Sequence, residues 1–518
     1  MGWYQGLGGR LMLVTDDLAG AIQAPPTEDE LRMVSCAWKP SYVLRVPSDW
    51  CPGVFLAKLR TGRRSRPDAG RPTFEQYIVF VVRDDQRRPI LFQASVTTYQ
   101  AYNIWGGRSL YGDAKTDSFD NRSFAVSFDR PYADGDGSGH FLEWEFPLVR
   151  WLEREGYDLS YATNIDVHCD ADLVSQYSVF LSVGHDEYWS FEMREHVENA
   201  LEKGSSLLFL GSNAIYWQVR LEPSGCSPLR RMVCYKGPGD PHADPTRRTI
   251  TWRELGRPEQ AVIGVMYDGW LRSDQVPNRF PLVPINTHCW PYRNTGLTDG
   301  QRLPALVGYE FDKVFDDVSK PDTLVKLAES CVVDADGRHS VSHATVYATA
   351  KGDMVFAAGT NDWAKGLLDE RSGGSAVHHP ALEVLTRNIL EKFMTLTEGG
   401  RVFVADFSHG PPVRGMYWEN YAAYAELDGW HDAGDLQLVG DFMGTGHDQV
   451  LFINRDPGQT GGRVLVADLS QGPPVRGLYW ENWGDHSELN GWHDSEDVEL
   501  VGDFSGAGKQ QVLFINMR

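Results

Sequence analysis

Two stretches of the sequence carry side chains that could do chemistry together. One is residues 97–111, and the other is residues 184–189, which form the run Gly-His-Asp-Glu-Tyr-Trp. Their candidate groups are Tyr99, Tyr102, Tyr111, His185, Asp186 and Glu187. Phenolate and carboxylate oxygens are hard anionic ligands, and such ligands suit ferric iron better than zinc or copper(I). A metal held there would lower the pKa of a bound water and polarise a carbonyl group.

Other interpretations of these side chains stay open at this point. Tyrosine often packs in or beside a core with its hydroxyl group satisfied. The His-Asp-Glu triplet could hold a metal, act as a general acid and base, or cap the helix that begins near Ser190. The residues alone therefore indicate either a metal-dependent site or an ordinary hydrogen-bonded rim.

Both stretches directly follow short apolar runs that are typical of buried strands, at residues 89–96 and 179–183. Helices predicted at residues 143–155 and 191–203, each followed by a glycine, alternate with these strands. This alternation predicts an α/β fold with a mostly parallel sheet and helices on both of its faces.

Two further polar loops follow strands of this predicted sheet. Asn213 comes after a strand predicted at residues 206–210, and Asn361 and Asp362 come after a strand predicted at 353–358. Because the carboxyl ends of parallel strands share one edge of the sheet, we expect all four loops on one rim. Asn213 and Asp362 therefore join the catalytic candidates.

We divide the chain into three parts on the basis of these patterns. The predicted parts are an N-terminal segment with a small β-layer at 1–88, an α/β catalytic domain at 89–398 and an all-β domain at 399–518. An irregular insertion, rich in Pro, Gly and Arg and with its own short strands, interrupts the catalytic domain at about 222–340. The small β-layer should contain strands at 42–46, 54–59 and 77–82.

The last part is a tandem repeat, residues 399–460 and 461–518, with an offset of 62 residues (463 minus 401). The segment Gly-Asp-Phe-x-Gly-x-Gly in each copy resembles the FG-GAP type of propeller repeat. An acid begins each loop, but the position two residues later, where calcium needs a second acid, holds Met443 or Ser505. We therefore do not expect calcium there. Two repeats cannot close a propeller, so a small two-unit β-domain or pairing with another chain is expected.

The composition excludes several partners. A formal net charge of -22 argues against nucleic acids and anionic membranes, since both attract basic surfaces. No apolar run approaches the roughly 18 residues of a membrane span, and the first residues do not form a signal peptide. Seven scattered cysteines without Cys-x-x-Cys spacing favour reduced thiols and a cytoplasmic location.

Residues 40–395 resemble the catalytic domain of the N,N-dimethylformamidase large (beta) subunit. The resemblance rests on Tyr-x-Ala-Tyr-Asn, the Ser-Leu-Tyr that follows it, Gly-His-Asp-Glu-Tyr-Trp, and the Gly-x-Asn after the next strand. It implies a glutamine-amidotransferase-like (flavodoxin-like) α/β sandwich that holds one ferric iron through two tyrosines and one glutamate.

Carried onto this sequence, the resemblance implies that Tyr111 and Glu187 bind iron together with Tyr102. Tyr99 is the alternative to Tyr102, which is favoured because it directly precedes an asparagine, as in the family pattern.

The resemblance also places His185 beside the metal and gives Asn213 a role in orienting the substrate. It does not locate the general base on this sequence, for which Asp362 and Glu143 are the candidates.

The leading hypothesis is a mononuclear iron hydrolase that acts on an amide- or formamide-type C–N bond of a small molecule, alone, as a homo-oligomer or with a partner subunit. One alternative is a non-catalytic carbohydrate- or protein-binding protein whose repeats bind by stacking. Its binding residues would be Trp418, Trp430, Trp480 and Trp492. Another alternative is an iron enzyme that does redox or rearrangement chemistry on a biosynthetic intermediate.

Overall fold

The computed structural model describes residues 1–15, 18–61, 74–225, 227–271, 280–368 and 378–397, together with eight strands after residue 401. It has two compact units, residues 1–397 and 398–518.

The first unit contains nineteen strands and six α-helices within these ranges. Its strands are β1 (Thr27–Glu28), β2 (Val34–Ser35), β3 (Gly53–Arg60), β4 (Glu75–Val82), β5 (Ile90–Ala94), β6 (Ala125–Ser127), β7 (Leu159–Thr163), β8 (Val179–His185), β9 (Tyr188–Ser190), β10 (Ser206–Ser212), β11 (Trp217–Ser224), β12 (Ser227–Val233), β13 (Met266–Trp270), β14 (Phe280–Leu282), β15 (Leu303–Val307), β16 (Glu310–Lys313), β17 (Val325–Val333), β18 (His339–Ala348) and β19 (Met354–Ala357). Its helices are α1 (Val96–Tyr102), α2 (Phe146–Glu155), α3 (Asn164–Cys169), α4 (Phe191–Glu202), α5 (Gln260–Ile263) and α6 (Pro380–Thr397).

The central sheet has seven strands in the order β17, β18, β19, β10, β8, β5 and β7. The five strands from β19 to β7 are parallel to one another. Strands β18 and β17 extend the sheet through antiparallel pairs. Since β7 and β8, which follow β5 in the chain, lie on opposite sides of it, the winding direction reverses beside β5.

Alternate residues of the parallel strands supply two cores, one on each face of the sheet. One core contains Leu91, Phe180, Leu207 and Val355, and the other contains Phe92, Leu181, Leu208 and Phe356. Met193 and Val197 of α4 belong to the first core, whereas Leu152 of α2 and Leu385 of α6 belong to the second. The prediction of a mixed α/β fold is confirmed.

Local signals placed several elements correctly. Ser190 caps α4 because its hydroxyl accepts a hydrogen bond from the backbone N–H of Met193, at 3.1 Å. Gly156 ends α2 with φ of 84°, a left-handed conformation that glycine adopts without strain. Strands β18 and β19, of which β19 falls within the strand predicted at 353–358, form a hairpin.

Two expectations differ from the structure. Residues 42–46 do not form a strand; they are exposed or half-buried, and none of the strands in the described ranges pairs with them. Strand β17 pairs with β18, so the central sheet resumes within the segment that we expected to be an irregular insertion. The rest of that segment also contains ordered strands, of which β16 pairs with β13.

The second unit is described by its strands alone. They are β20 (Val402–Asp406), β21 (Arg414–Trp418), β22 (Leu436–Gly440), β23 (Gln449–Asn454), β24 (Arg463–Asp468), β25 (Arg476–Trp480), β26 (Val498–Gly502) and β27 (Gln511–Ile515). Strands β22 to β25 form one antiparallel sheet, and β20–β21 and β26–β27 are hairpins. The loops that begin at Asp441 and Asp503, with Trp430 and Trp492, lie outside the described residues.

None of the helices in the described ranges combines the length and apolar character that crossing a bilayer requires.

Two glycines allow β8 and β10 to approach closely at their carboxyl ends. Gly184 pairs with Gly211, and Gly184 has φ of 68°. A Cβ atom on Gly211 would lie 2.2 Å from the carbonyl oxygen of Gly184. Since that oxygen belongs to the backbone, a side chain at position 211 would force the strand ends apart.

Replacing Gly211 by alanine should therefore destabilise the first unit by about 1–3 kcal/mol, the usual cost of overpacking a core. Thermal unfolding of the variant, followed by circular dichroism, should show a lower Tm. Gly239→Ala is the matched control, because a Cβ atom at that exposed glycine meets no atom within 4 Å. Equal Tm values for the two variants would contradict this account of the strand approach.

Candidate metal centre and catalytic site

Helix α1 positions the first tyrosines directly after β5. The side chain of Asn164 accepts a hydrogen bond from the backbone N–H of Thr97 at 3.1 Å. The hydroxyl of Thr98 accepts one from the backbone N–H of Glu187 at 3.0 Å. The start of α1 is thus tied to the loop after β8, and Tyr102 follows one turn later.

The loop that carries Tyr111 folds back onto the same helix. The backbone N–H of Leu110 donates to the carbonyl oxygen of Ala101 at 3.0 Å. The hydroxyl of Ser109 accepts from the backbone N–H of Tyr111 at 3.1 Å. These bonds bring the rings of Tyr102 and Tyr111 together, with centroids 4.4 Å apart.

Two tyrosine hydroxyls converge on one buried carboxylate. Tyr102 donates to Oε2 of Glu187 at 2.8 Å, and Tyr111 lies 2.9 Å from Oε1 of the same carboxylate. The two hydroxyl oxygens are 2.8 Å apart. Glu187 is only 2% exposed, so these contacts replace solvent around its charge.

This oxygen set fits a small metal ion. Cis ligands at metal–oxygen distances of about 2.0–2.1 Å are themselves about 2.9 Å apart, which matches the separations of the three groups. No group of three or more His, Cys, Asp and Glu side chains in the described part of the chain is arranged to hold a metal. The tyrosines are therefore needed to complete any ligand set here.

Tyr99 has different surroundings from Tyr102. Its buried ring contacts Tyr132 edge-on with centroids 5.9 Å apart, and its hydroxyl lies beside Glu145. The third tyrosine hydroxyl near the carboxylate comes instead from Tyr188, which donates to the hydroxyl of Tyr111 at 2.6 Å. The geometry thus favours Tyr102 over Tyr99 as a candidate ligand.

Glu310 is a site residue that the sequence analysis missed. Nε2 of His185 lies 2.9 Å from Oε2 of Glu310 and 3.2 Å from Oε2 of Glu187. Glu310 and Asp312 are buried acids that alternate with Phe311 in β16. Acids in a short apolar strand were the signal that could have revealed them, because a strand buries such groups only with partners.

These three charged groups shift one another's pKa values. Burial alone would lower the pKa of His185, but Glu310 and Glu187 raise it to about 10. Burial works against the charge of Glu187, but the hydrogen bond and charge of His185, together with Lys236 and Tyr102, outweigh burial and lower the pKa of Glu187. Burial keeps the pKa of Glu310 raised despite His185. Glu187 is thus the ionised carboxylate and Glu310 the more basic one.

Lys236 places a buried amine at the site. Its Nζ lies 3.3 Å from the ring centroid of Tyr111 and 5.2 Å from that of Tyr188. Burial lowers the pKa of Lys236 to about 8, although the charge of Glu187 opposes this shift. The segment around it gives no motif, so the sequence did not single it out.

Asn213 lies at the end of β10, in a left-handed conformation with φ of 55°. Its backbone N–H donates to Oδ1 of Asp312 at 2.8 Å. Its side chain hydrogen-bonds to Glu310 and thereby helps to lower the pKa of that acid. The structure brings Asn213 and His185 together around Glu310, as expected for residues on a common rim.

Asp186 faces the interior of the sheet. Its carboxylate accepts hydrogen bonds from Gln93 at 2.7 Å, Ser182 at 2.9 Å and Asn164 at 3.1 Å. These partners belong to β5, β8 and α3. Asp186 therefore connects β5, β8 and α3 by hydrogen bonds next to the site, which is a positioning role.

Asp362 and Glu143, the two candidates for the general base from the sequence, both lie near the ammonium group of Lys365. Nζ of Lys365 is 3.1 Å from Oδ1 of Asp362 and 3.7 Å from Oε1 of Glu143. The same ammonium group lies 3.6 Å from the ring centroid of Trp144. Burial raises the pKa of Glu310, and Glu310 lies beside His185 and Glu187, which makes it the better candidate for the base.

Comparison with known proteins places this fold and site in a family. The model of the family described as N,N-dimethylformamidase beta subunit-like, C-terminal, matches residues 1–375, and the chain belongs to that family. It is 24% identical over 228 residues to the N,N-dimethylformamidase beta subunit of Alcaligenes sp, which covers 36% of this chain and 29% of the relative. It is 33% identical over 85 residues to that of Paracoccus aminophilus, covering 15% and 11%. The chain thus spans less than a third of each relative.

The pKa of Asp312 offers a test of the site's electrostatics. Burial raises this pKa from 3.8 to about 8. The folded state therefore binds the proton more tightly than the unfolded state does, so the free energy of unfolding is greatest below pH 3.8. Above that pH the free energy of unfolding should fall by about 1.4 kcal/mol per pH unit, until the pH passes the folded-state pKa of about 8. Asp312→Asn stays neutral and keeps an acceptor for Asn213, so Tm should decline less between about pH 5 and 8.

The matched control for this prediction is Asp316→Asn. Asp316 is exposed, and its hydrogen bond with Lys320 lowers its pKa, so it does not titrate in this range. The control should keep the slope of Tm against pH that the unmodified protein shows. The same slope in Asp312→Asn would show that Asp312 is ionised throughout.

Proposed function

We propose that this protein is a mononuclear iron-dependent hydrolase of an amide- or formamide-type C–N bond. The observation that carries the proposal is the convergence of the hydroxyls of Tyr102 and Tyr111 on the buried carboxylate of Glu187. The family, in which both relatives compared above are named N,N-dimethylformamidase beta subunit, supports an amide as the substrate class. A small substrate is consistent with the buried donors of the site.

The three oxygen donors would bind ferric iron as a hard anionic set. Bound iron would supply Lewis acidity that polarises the amide carbonyl and makes water a stronger nucleophile. Burial raises the pKa values of both Tyr102 and Tyr111 well above the ordinary value, so the phenols keep their protons until a cation replaces them.

Glu310 is the residue that we propose as the general base. It would take a proton from the attacking water while the water oxygen bonds to the carbonyl carbon. The proton would then pass to the amide nitrogen as the C–N bond breaks, which releases an amine and a carboxylic acid. The raised pKa of Glu310 suits this role, because a more basic carboxylate accepts a proton from water more readily.

The neighbouring residues hold this machinery in place. His185 lies between both carboxylates, so its charge keeps Glu187 ionised and holds Glu310 near it. The amide of Asn213 would orient the substrate, and Lys236 adds positive charge beside Tyr111. Positive groups around the carbonyl would stabilise the negative charge that develops on its oxygen.

We also infer the finer architecture from these observations. Counted along the chain, the parallel strands lie in the order 2-1-3-4-5, which supports a flavodoxin-like, glutamine-amidotransferase-like sheet. Ligands bind such sheets where the winding reverses, here between β5 and β8, the strands that precede the tyrosines and Glu187. The sequence supports FG-GAP-type repeats in the second unit, and relatives named as beta subunits support a partner subunit.

Metal analysis of the purified protein tests the ligand set. The protein should contain about one iron per chain and show a visible phenolate-to-iron absorption band. Tyr102→Phe and Tyr111→Phe should each weaken or shift that band, and Glu187→Ala should abolish iron binding, because each removes one of few anionic donors. A protein that holds zinc or no metal would disprove the proposed centre.

Tyr99→Phe is the matched control for this experiment, since it also removes one hydroxyl from a buried tyrosine of α1. It should retain both iron and the absorption band. Loss of the band in Tyr99→Phe, with retention in Tyr102→Phe, would assign the ligand to Tyr99 instead.

Replacement of Glu310 by glutamine tests the proposed base. The variant should lose about 10²- to 10⁴-fold in kcat for release of dimethylamine from N,N-dimethylformamide, while its iron content is unchanged. Asp362→Asn should lose much less, because the carboxylate of Asp362 lies beside Lys365, whereas that of Glu310 lies beside His185, next to the proposed ligand Glu187. A larger loss for Asp362→Asn than for Glu310→Gln would exchange the two assignments.

A further inference from the structure

The middle sheet of the second unit is shared between the two sequence repeats. Strands β22 and β23 belong to the first copy, and β24 and β25 belong to the second. The copies are joined by the antiparallel pair β23–β24, in which Leu451 lies opposite Val466. A complete four-stranded sheet therefore needs the second half of one repeat and the first half of the next.

The two hairpins at either side of this sheet are its unmatched halves. Strands β26 and β27 start 62 residues after β22 and β23, and β21 starts 62 residues before β25. Among the strands that the structure describes, β27 pairs with β26 alone and β20 pairs with β21 alone. The outer edges of β20 and β27, which correspond to the paired edges of β24 and β23, therefore have unpaired backbone N–H and C=O groups among the described strands. Isolated two-stranded hairpins are only marginally stable.

These two edges have the sequences of the strands that do pair. Residues 512–515 read Val-Leu-Phe-Ile, as do residues 450–453 of β23. Residues 402–405 read Val-Phe-Val-Ala, against Val-Leu-Val-Ala at residues 464–467 of β24. The repeat offset places Leu513 (451 plus 62) opposite Val404 (466 minus 62).

We propose that β27 of one copy of this chain pairs with β20 of a second copy, in the register of β23 and β24. The partner is a second copy because it supplies the complementary edge, whereas β20 and β27 of the same chain lie in separate two-stranded sheets among the described strands. Two such contacts, made reciprocally, satisfy both free edges of each chain and close a dimer. This interface does not depend on the proposed iron chemistry.

Cysteine cross-linking between separately purified variants tests both the register and the partner. Val404→Cys protein mixed with Leu513→Cys protein should form a disulfide-linked dimer on mild oxidation, because directly opposed residues of antiparallel strands are about 4.5–5.5 Å apart at Cα. Peptide mass spectrometry should identify the 404–513 link among the native cysteines. Light scattering of the unmodified protein should give about twice the chain mass of 58.2 kDa.

Two control variants make the result decisive. Leu451→Cys with Val466→Cys in one chain should form the equivalent bond within the middle sheet, and its absence would remove the basis of the proposal. Phe403→Cys mixed with Leu513→Cys should not cross-link, since adjacent residues of a strand face opposite sides. A monomeric mass, or no 404–513 link while the 451–466 bond forms, would overturn the second-copy interface.

Discussion

The rest of the site depends on how the chain surrounds one buried carboxylate. Glu187 accepts hydrogen bonds from Tyr102 and Tyr111 and lies 3.2 Å from the ring nitrogen of His185. A buried charge costs several kcal/mol unless partners replace its water, so each of these groups becomes more costly to remove than an exposed one. The same contacts join α1, which follows β5, to the end of β8. The residues proposed for catalysis therefore also stabilise the fold.

The position of this carboxylate follows from the winding of the sheet. Strands β5 and β8 are neighbours with parallel direction, so the segments after them open toward the same side. Gly184 and Gly211 then let β8 and β10 approach at the point where His185 and Asn213 emerge. The residues gathered here come from distant parts of the chain because the sheet, and not local sequence, brings them together.

The parts of the site that a strand end carries were predictable from the sequence. The apolar runs before Tyr102 and Glu187 predicted that both residues lie at the carboxyl-end edge of a parallel sheet. The strand predicted before Asn213 placed that residue at the same edge. Glu310 and Lys236 were missed because they come from a segment whose turns and short strands give no periodic signal, and their place depends on tertiary packing. Strand β17 was missed for the same reason.

The opposite orientations of Asp186 and Glu187 limit how the chain can vary at this point. Glu187 and His185 reach the tyrosines and Glu310, while Asp186 between them reaches Gln93 and the interior of the sheet. Inserting or deleting one residue here would exchange the two orientations and leave one acid buried without partners on each side. We infer that length changes after β8 are far less tolerable than substitutions, so the spacing of these residues is itself a structural requirement.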